Sequence, residues 1–419
     1  MIKIPETVYR HIDEYAAKAE KYSKKLAALY RNCYPNTLQT ALIPGADGSL
    51  FVLTGDIPAM WLRDSTAQVS HYIREAAKDS ELADIIKAVI KRQLRYIPYD
   101  PYANAFNETS NGKGHIKDVP KPDPLVWERK YEIDSLCYPI RLLYLYVKYT
   151  QDRSVLDGDF RYAAAAILKL WRTEQHHTEK STYKFYRECA GPKDTVNHVE
   201  AYTGMTWSGF RPSDDACRYG YLIPSNLFAA HELSELSELL GDDPMSAECL
   251  SLRAEILEGV QKFGTVEHPK YGRIYACETD GLGHCSLLDD ANVPSLLSLP
   301  YLGCVSADDE IYANTRRFIL SHDNPYYYEG KYAKGIGSPH TPEGYIWHIA
   351  LAMQGLTSND PAEVKSLIDM LINTDADTGF MHEGFCADDP TKFTRSHFCW
   401  ANSLFAEFVE YALDKGFIG

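Results

Sequence analysis

Positive charge is in short supply in this sequence: 43 Lys and Arg stand against 58 Asp and Glu, a formal net charge of −15. Phosphate binding needs a basic face, so nucleic acid is excluded as a partner. No run of about 18 apolar residues occurs, so no membrane-spanning helix is expected. The opening MIKIPETVYRHIDEYAAKAEK lacks an apolar h-region and a small-residue cleavage site, so no secretory leader is expected. Ten cysteines are present, but none falls in a CxxC and none has a Cys/His spacing of the zinc type. Cys137, Cys249 and Cys399 fall on apolar helical faces, where a reduced thiol behaves as a small hydrophobe. These absences point to a cytoplasmic protein with reduced thiols and no metal, cofactor or obligate protein partner. GxSxG and P-loop patterns are also missing, and His382-Glu383 is not followed by a second His at the HExxH spacing.

Helical periodicity, in contrast, runs from end to end. In ELADIIKAVIKRQLRY, Leu82, Ile85, Ile86, Val89, Ile90 and Leu94 form one apolar stripe. Comparable patterns predict helices near 7–33, 65–77, 132–150, 160–177, 219–240, 245–263, 292–302, 307–321, 343–356, 361–373 and 397–414. Asp79-Ser80, Asp243-Pro244 and Asp360-Pro361 are start signals for three of them. Strand-like alternation is limited to pieces such as SLFVLTG and YGRIYAC, too few for a barrel of βα units. About twelve helices with no Ser/Gly- or Pro-rich linker predict one all-α domain over residues 1–419, six antiparallel pairs closing into a double ring. Loops at one end of such a ring converge on a central pocket.

Four loop-like stretches combine carboxylates with aromatics: TGDIPAMWLRDS (54–65), WERKYEIDS (127–135), GMTWSGFRPSDDA (204–216) and GFMHEGFCADD (379–389). GSPHTPEGYIW (337–347) adds His340 and Trp347. Asp214-Asp215 is an adjacent carboxylate pair in which each group needs its own stabilising surroundings, although Ser213, Asp214 or Asp215 could simply cap the next helix. Glu383 lies between two aromatic-rich flanks and caps no obvious helix. Carboxyl groups from remote parts of a chain are what glycoside hydrolysis requires, one to protonate the leaving oxygen and one to activate water or attack. Asp214 or Asp215 with Glu383 meets that need. Arg63 and Asp64 can then anchor sugar hydroxyls while Trp61 offers a flat wall to a pyranose ring. Asp134, Trp207, Arg211, Asp215 and His340 complete the expected sugar contacts.

The segments FVLTGDIPAMWLRDSTAQ, WERKYEIDSLCYP, TGMTWSGFRPSDDACRYGYLIPSN, DGLGHCSLLDDANVPSLLSLPYLG and MHEGF followed by DDPTKFTR resemble glycoside hydrolase family 125, the metal-independent exo-α-1,6-mannosidases. The resemblance spans essentially the whole chain. It implies an (α/α)6 toroid and an inverting enzyme that removes terminal α-1,6-linked mannose from a mannose-containing oligosaccharide without a metal. It also implies Asp214 as general acid, Glu383 as general base, and Trp61, Arg63 and Asp64 around the terminal sugar. An inverting pair would be separated by roughly 6.5–9.5 Å. Asp214 would have to carry a proton near neutral pH, a state expected from the charge of Asp215 and from burial against Trp207 or Phe210.

Overall fold

The architecture is that of an (α/α)6 toroid, seen in a computed structural model that describes residues 2–187 and 200–419. Fifteen helices occur among the described residues. Cys189, one of the ten thiols expected to be reduced, lies outside them.

Outer helices follow from their patterning. Ser80–Tyr99 is started by Asp79, whose carboxylate accepts the Glu81 and Leu82 N–H groups at 2.8 and 3.1 Å. It buries Leu82, Ile86, Val89, Ile90 and Leu94 and leaves its opposite face in water, each fully buried side chain contributing about 1.5–3 kcal/mol. Pro244–Phe263 and Pro361–Ile372 begin with proline just after a capping Asp, where a missing N–H costs nothing. Inner helices differ: Leu62–Ser70, Asp134–Thr150, Ile223–Leu240, His348–Leu356 and Cys399–Asp414 are buried over most of their surface. Leu62–Ser70 packs against both Asp134–Thr150 and Cys399–Asp414, Ile223–Leu240 joins Asp134–Thr150, and His348–Leu356 joins Cys399–Asp414.

Three departures from the expected helices have local causes. The 7–33 helix is two, Glu6–Tyr22 and Lys24–Cys33, because Ser23 is extended (φ −158°) and its hydroxyl accepts the Leu26 N–H. Residues 292–302 form no helix but a buried run of turns. There the Asp289 carboxylate takes the Leu296 and Leu297 N–H groups, and Ser295 and Ser298 bond each other's backbone, so side chains satisfy the groups a helix would use. Finally, the 343–356 helix starts only at His348, because Tyr345–Trp347 is a strand paired to Gly384–Cys386.

That strand belongs to a recurring device. Met60–Trp61, Tyr221–Leu222 and Tyr345–Trp347 are short strands that run straight into inner helices, and each is held by another strand from a distant loop. The pairing Met60↔Phe106, followed by Phe106↔Val126, ties three loops together at one end of the ring. The residues at the N-terminal starts of the inner helices thereby meet, and helix N-termini favour negative charge.

Candidate active site

Where these starts converge lies a cavity of about 250 Å³, smaller than the roughly 300–1,000 Å³ typical of drug-sized ligands and suited to a single sugar ring. Trp61, Arg63, Asp64, Asp214, His340 and Glu383 all line it. Six of the expected site residues, from four separate stretches of sequence, therefore line one cavity.

Arg63 organises one side. In the first turn of Leu62–Ser70, it is buried and its guanidinium meets three carboxylates: Glu132 Oε2 at 2.5 Å, Asp134 Oδ2 at 3.0 Å and Asp214 Oδ1 at 3.1 Å. A fourth, Asp64, lies 3.6 Å from its Nε. Asp214 Oδ1 also accepts from Trp61 Nε1 at 3.2 Å and Asn104 Nδ2 at 3.3 Å, while the Lys130 ammonium holds the Asp214 backbone carbonyl at 2.6 Å. Asp214 adopts φ +64°, a left-handed conformation that Asp tolerates better than most residues, and its side chain is 23 % exposed toward the cavity.

The ionisation of this group follows from its surroundings. Burial alone would raise the Asp214 carboxyl. The Arg63 guanidinium, the hydrogen bond from Glu132, Lys130 and His340 outweigh it and hold Asp214 well below the usual carboxylate range. The expected protonated Asp214 is thus corrected: the neighbouring cations outweigh burial and favour the carboxylate. Glu132 goes the other way, pushed well up by burial and by the negative charges of Asp214 and Asp134, against the pull of Arg63. Burial likewise raises Asp134 and Asp64 to about 6 each, with Arg63 opposing.

Across the cavity, Glu383 is 7 % exposed and faces the Arg395 guanidinium at 3.8 Å. Arg395 is itself anchored on Asp56 and on the Thr54 carbonyl, both at 2.6 Å. His340 donates from Nδ1 toward Asp215 at 3.2 Å. Burial disfavours its charge, but Asp215, Glu383 and Asp214 raise it to about 9, so it is an imidazolium at neutral pH.

Four expected contacts lie behind the wall. Asp134 is fully buried on Arg63, and Asp215 stands behind His340. Trp207 is corrected from a sugar contact to a packed core residue: its ring stacks on His177 at 3.5 Å and its Nε1 donates to Glu200 at 2.8 Å. Arg211 is corrected likewise, its Nε taken by Glu278 at 2.6 Å. Sequence reasoning passed over Glu132, Asn104, Lys130 and Arg395. Glu132 and Lys130 sit inside WERKYEIDS and Arg395 ends DDPTKFTR, so the segments were visible although these side chains were not singled out.

Comparison with known proteins agrees with this geometry. Residues 23–410 match the profile of a family described as metal-independent α-mannosidase, GH125. A metal-independent α-mannosidase from Streptococcus pneumoniae, solved in a non-productive complex with α-1,6-mannobiose, is 47 % identical and superposes with a TM-score of 0.96 over 99 % of this chain and 100 % of its own. The meiotically up-regulated gene 157 protein of Schizosaccharomyces pombe is 40 % identical over 95 % of this chain and 84 % of its own. A bacterial glucoamylase complexed with acarbose, 11 % identical with a TM-score of 0.57 over 85 % of this chain and 49 % of its own, shares the fold alone.

Proposed function

The chain belongs to glycoside hydrolase family 125, the metal-independent α-mannosidases, and from that premise we propose how its cavity works. The protein is an exo-acting α-1,6-mannosidase that removes terminal non-reducing mannose from oligosaccharides. N-glycan fragments in a reducing, cytoplasmic compartment are the substrates and setting that best suit it. No helix among the described residues is long and apolar enough to cross a membrane.

One observation carries the catalytic reading. Asp214 and Glu383, far apart in sequence, line the same small cavity and stand in contrasting surroundings, Asp214 among hydrogen-bond donors and a second carboxyl, Glu383 beside Arg395. Asp214 protonates the glycosidic oxygen, and Glu383 takes a proton from the water that attacks C1 on the opposite face. Configuration inverts and β-mannose leaves first. His340, a cation on the same cavity lining, supports negative charge on both carboxylates, and Arg63, with Asp64, fixes the sugar hydroxyls. The small cavity admits one ring and so restricts the enzyme to chain ends.

The test is incubation with α-1,2-, α-1,3- and α-1,6-mannobiose, with and without exhaustive chelation, followed by NMR of the first-released sugar. Cleavage of the α-1,6 dimer to β-mannose with chelator present is expected. α-Mannose as first product would mean retention and would remove both assigned roles.

A further inference from the structure

Arg63 is one guanidinium among four carboxylates, Glu132, Asp134, Asp214 and Asp64, in a site where three of them are within 3.1 Å of it. The other cations nearby each have a closer partner, although Lys130 and His340 also favour charge on Asp214. Lys130 holds the Asp214 carbonyl and lies 4.0 Å from Glu128, which is itself paired with Arg187 at 2.6 Å. His340 faces Asp215, and Arg395 faces Asp56 and Glu383. Carboxylates crowded on one buried cation do not all ionise, so the group retains a proton.

Geometry decides where that proton rests. Asp214 Oδ1 accepts from three donors, Trp61, Arg63 and Asn104, and its carboxyl opens to the cavity. Glu132 has no exposed side-chain surface, accepts from Arg63 at 2.5 Å, the Ser135 hydroxyl at 2.9 Å and Asn104 Nδ2 at 3.4 Å, and hydrogen-bonds to the Asp214 carboxyl, with which it shares the Arg63 and Asn104 donors. With three donors on each carboxyl, exposure separates them: Asp214 opens to the cavity and is 23 % exposed, whereas Glu132 is fully buried, so the charge rests on Asp214 and the proton on Glu132.

We propose that Glu132 is a positioning residue that holds the catalytic proton for Asp214, the two carboxyls sharing one proton across their hydrogen bond. This rests on the reading of Asp214 as the acid. The raised Glu132 carboxyl and the depressed Asp214 carboxyl agree with it. When substrate enters, the proton crosses to Asp214 and passes to the glycosidic oxygen as the C1–O bond breaks. Water gives its hydroxyl to C1 and its proton to Glu383. Glu383 then releases that proton to solvent and the Glu132–Asp214 pair regains one, so the cycle balances. Glu132 acts on the sugar only through its partner.

Glu132→Gln is the discriminating change, because it replaces a neutral acid with a neutral amide of the same shape and deletes only the transferable proton. Turnover is measured on α-1,6-mannobiose, whose leaving group needs protonation, and on 2,4-dinitrophenyl α-mannoside, whose leaving group does not. The expected loss in kcat on mannobiose is about 10²- to 10³-fold, at least tenfold greater than on the aryl mannoside, with KM changed less than about threefold. The basic limb of the pH profile on mannobiose should move to lower pH. Equal losses on both substrates, or no loss on mannobiose, would overturn the proposal, since a purely structural residue has no leaving-group preference. Asp214→Asn separates the two layers. If it shows no preference for the activated substrate, the assignment of Asp214 fails; if it shows one and Glu132→Gln does not, only the shared proton fails. Should Glu132→Gln not fold, Glu132→Asp, which keeps a titrating group one methylene further from Asp214, is expected to show the same preference in smaller measure, and its absence overturns the proposal.

Discussion

Two guanidinium groups mark the helix Asp134–Thr150, Arg63 buried against it and Arg141 half-buried upon it. Arg63 meets it at its first residue, and Arg141 lies about two turns along, roughly 10 Å further on. Around Arg63 three carboxylates are within 3.1 Å and one side opens to the cavity. Arg141 instead donates to the Leu302 and Tyr301 carbonyls at 3.2 and 3.1 Å, and the nearest carboxylate, Glu232, stands 4.0 Å away. Glu232 is completely buried, and among the described residues no N–H or hydroxyl donates to its oxygens; its one hydrogen-bonded neighbour is the Glu235 carboxyl. Its carboxyl is pushed well up by burial and by the neighbouring Glu235, as Glu132 is by burial and its own neighbours. A strongly shifted carboxyl thus marks burial wherever it occurs. What distinguishes the Arg63 group is three carboxylates hydrogen-bonded to one guanidinium, one of which, Asp214, lines a cavity together with the remote carboxylate Glu383.

The largest effect should come from removing each arginine in turn. Arg63→Leu leaves three carboxylates without their common cation, so a stability loss of about 3–5 kcal/mol is expected, with kcat/KM on mannobiose lower by about 10³-fold or more per folded molecule. Arg141→Leu should cost stability, through two unsatisfied carbonyls and Glu232, yet leave kcat/KM within about threefold. Thermal melts and active-fraction kinetics on both variants check this. A tenfold or greater loss of turnover in Arg141→Leu would break the contrast.

Much of this contrast was legible in the sequence, and the illegible part has a physical cause. Periodicity and caps located the helices because an amphipathic stripe and an Asp-Pro start are local properties. The turns at 292–302 were missed because the side chains that replace a helix there, Asp289, Ser295 and Ser298, read as ordinary polar residues beside a strong apolar pattern. In the site, the residues that touch the cavity stood out through unusual company: Trp61 before Arg63-Asp64, Asp214 beside Asp215, Glu383 after His382. Glu132 touches no cavity and sits two residues before Asp134 at a helix start, where a carboxylate is expected for reasons of capping and dipole alone. Trp207 misled in the opposite sense. An aromatic among carboxylates suggests a sugar contact, but nothing local shows that His177 already covers its face.

A second prediction sharpens the comparison from the Arg141 side, through Glu232→Gln. Because the folded carboxyl is raised, the stability of the native protein is fully present below the unfolded pKa of about 4.3 and is lost as pH rises. The amide does not titrate, so the variant should gain on the native protein as pH increases, by up to about 1.4 kcal/mol per unit. Chemical unfolding at pH 5 and pH 8 measures it: the difference should favour the variant more at pH 8, with turnover unchanged. A difference independent of pH would mean that Glu232 is ionised in the fold after all.

The smallest effect concerns the Glu383 side of the cavity and the imidazole beneath it. His348, the first residue of its helix and fully buried, has its Nδ1 2.9 Å from the His382 N–H and 3.0 Å from the His382 carbonyl, and its Nε2 3.2 Å from Thr374 Oγ1. These contacts fix the backbone immediately before Glu383. Burial, reinforced by His382, holds the His348 pKa down to about 3. The unfolded chain therefore binds a proton near pH 6.5 that the native protein refuses, so the contribution of this group is present above about pH 6.5 and is lost as pH falls toward 3. His348→Gln keeps an acceptor and a donor but cannot titrate. At pH 7 it should be less stable than the native protein by about 1 kcal/mol, through imperfect hydrogen bonds. Between pH 7 and pH 5 that deficit should shrink or reverse by about 2 kcal/mol, as the native protein alone bears the cost of keeping the ring neutral. Urea unfolding of both proteins at the two pH values decides it. A deficit that stays constant would show that the ring takes up a proton in the folded state, and the backbone ahead of Glu383 would then have to be held by Thr394, whose hydroxyl accepts the Gly384 N–H at 3.0 Å.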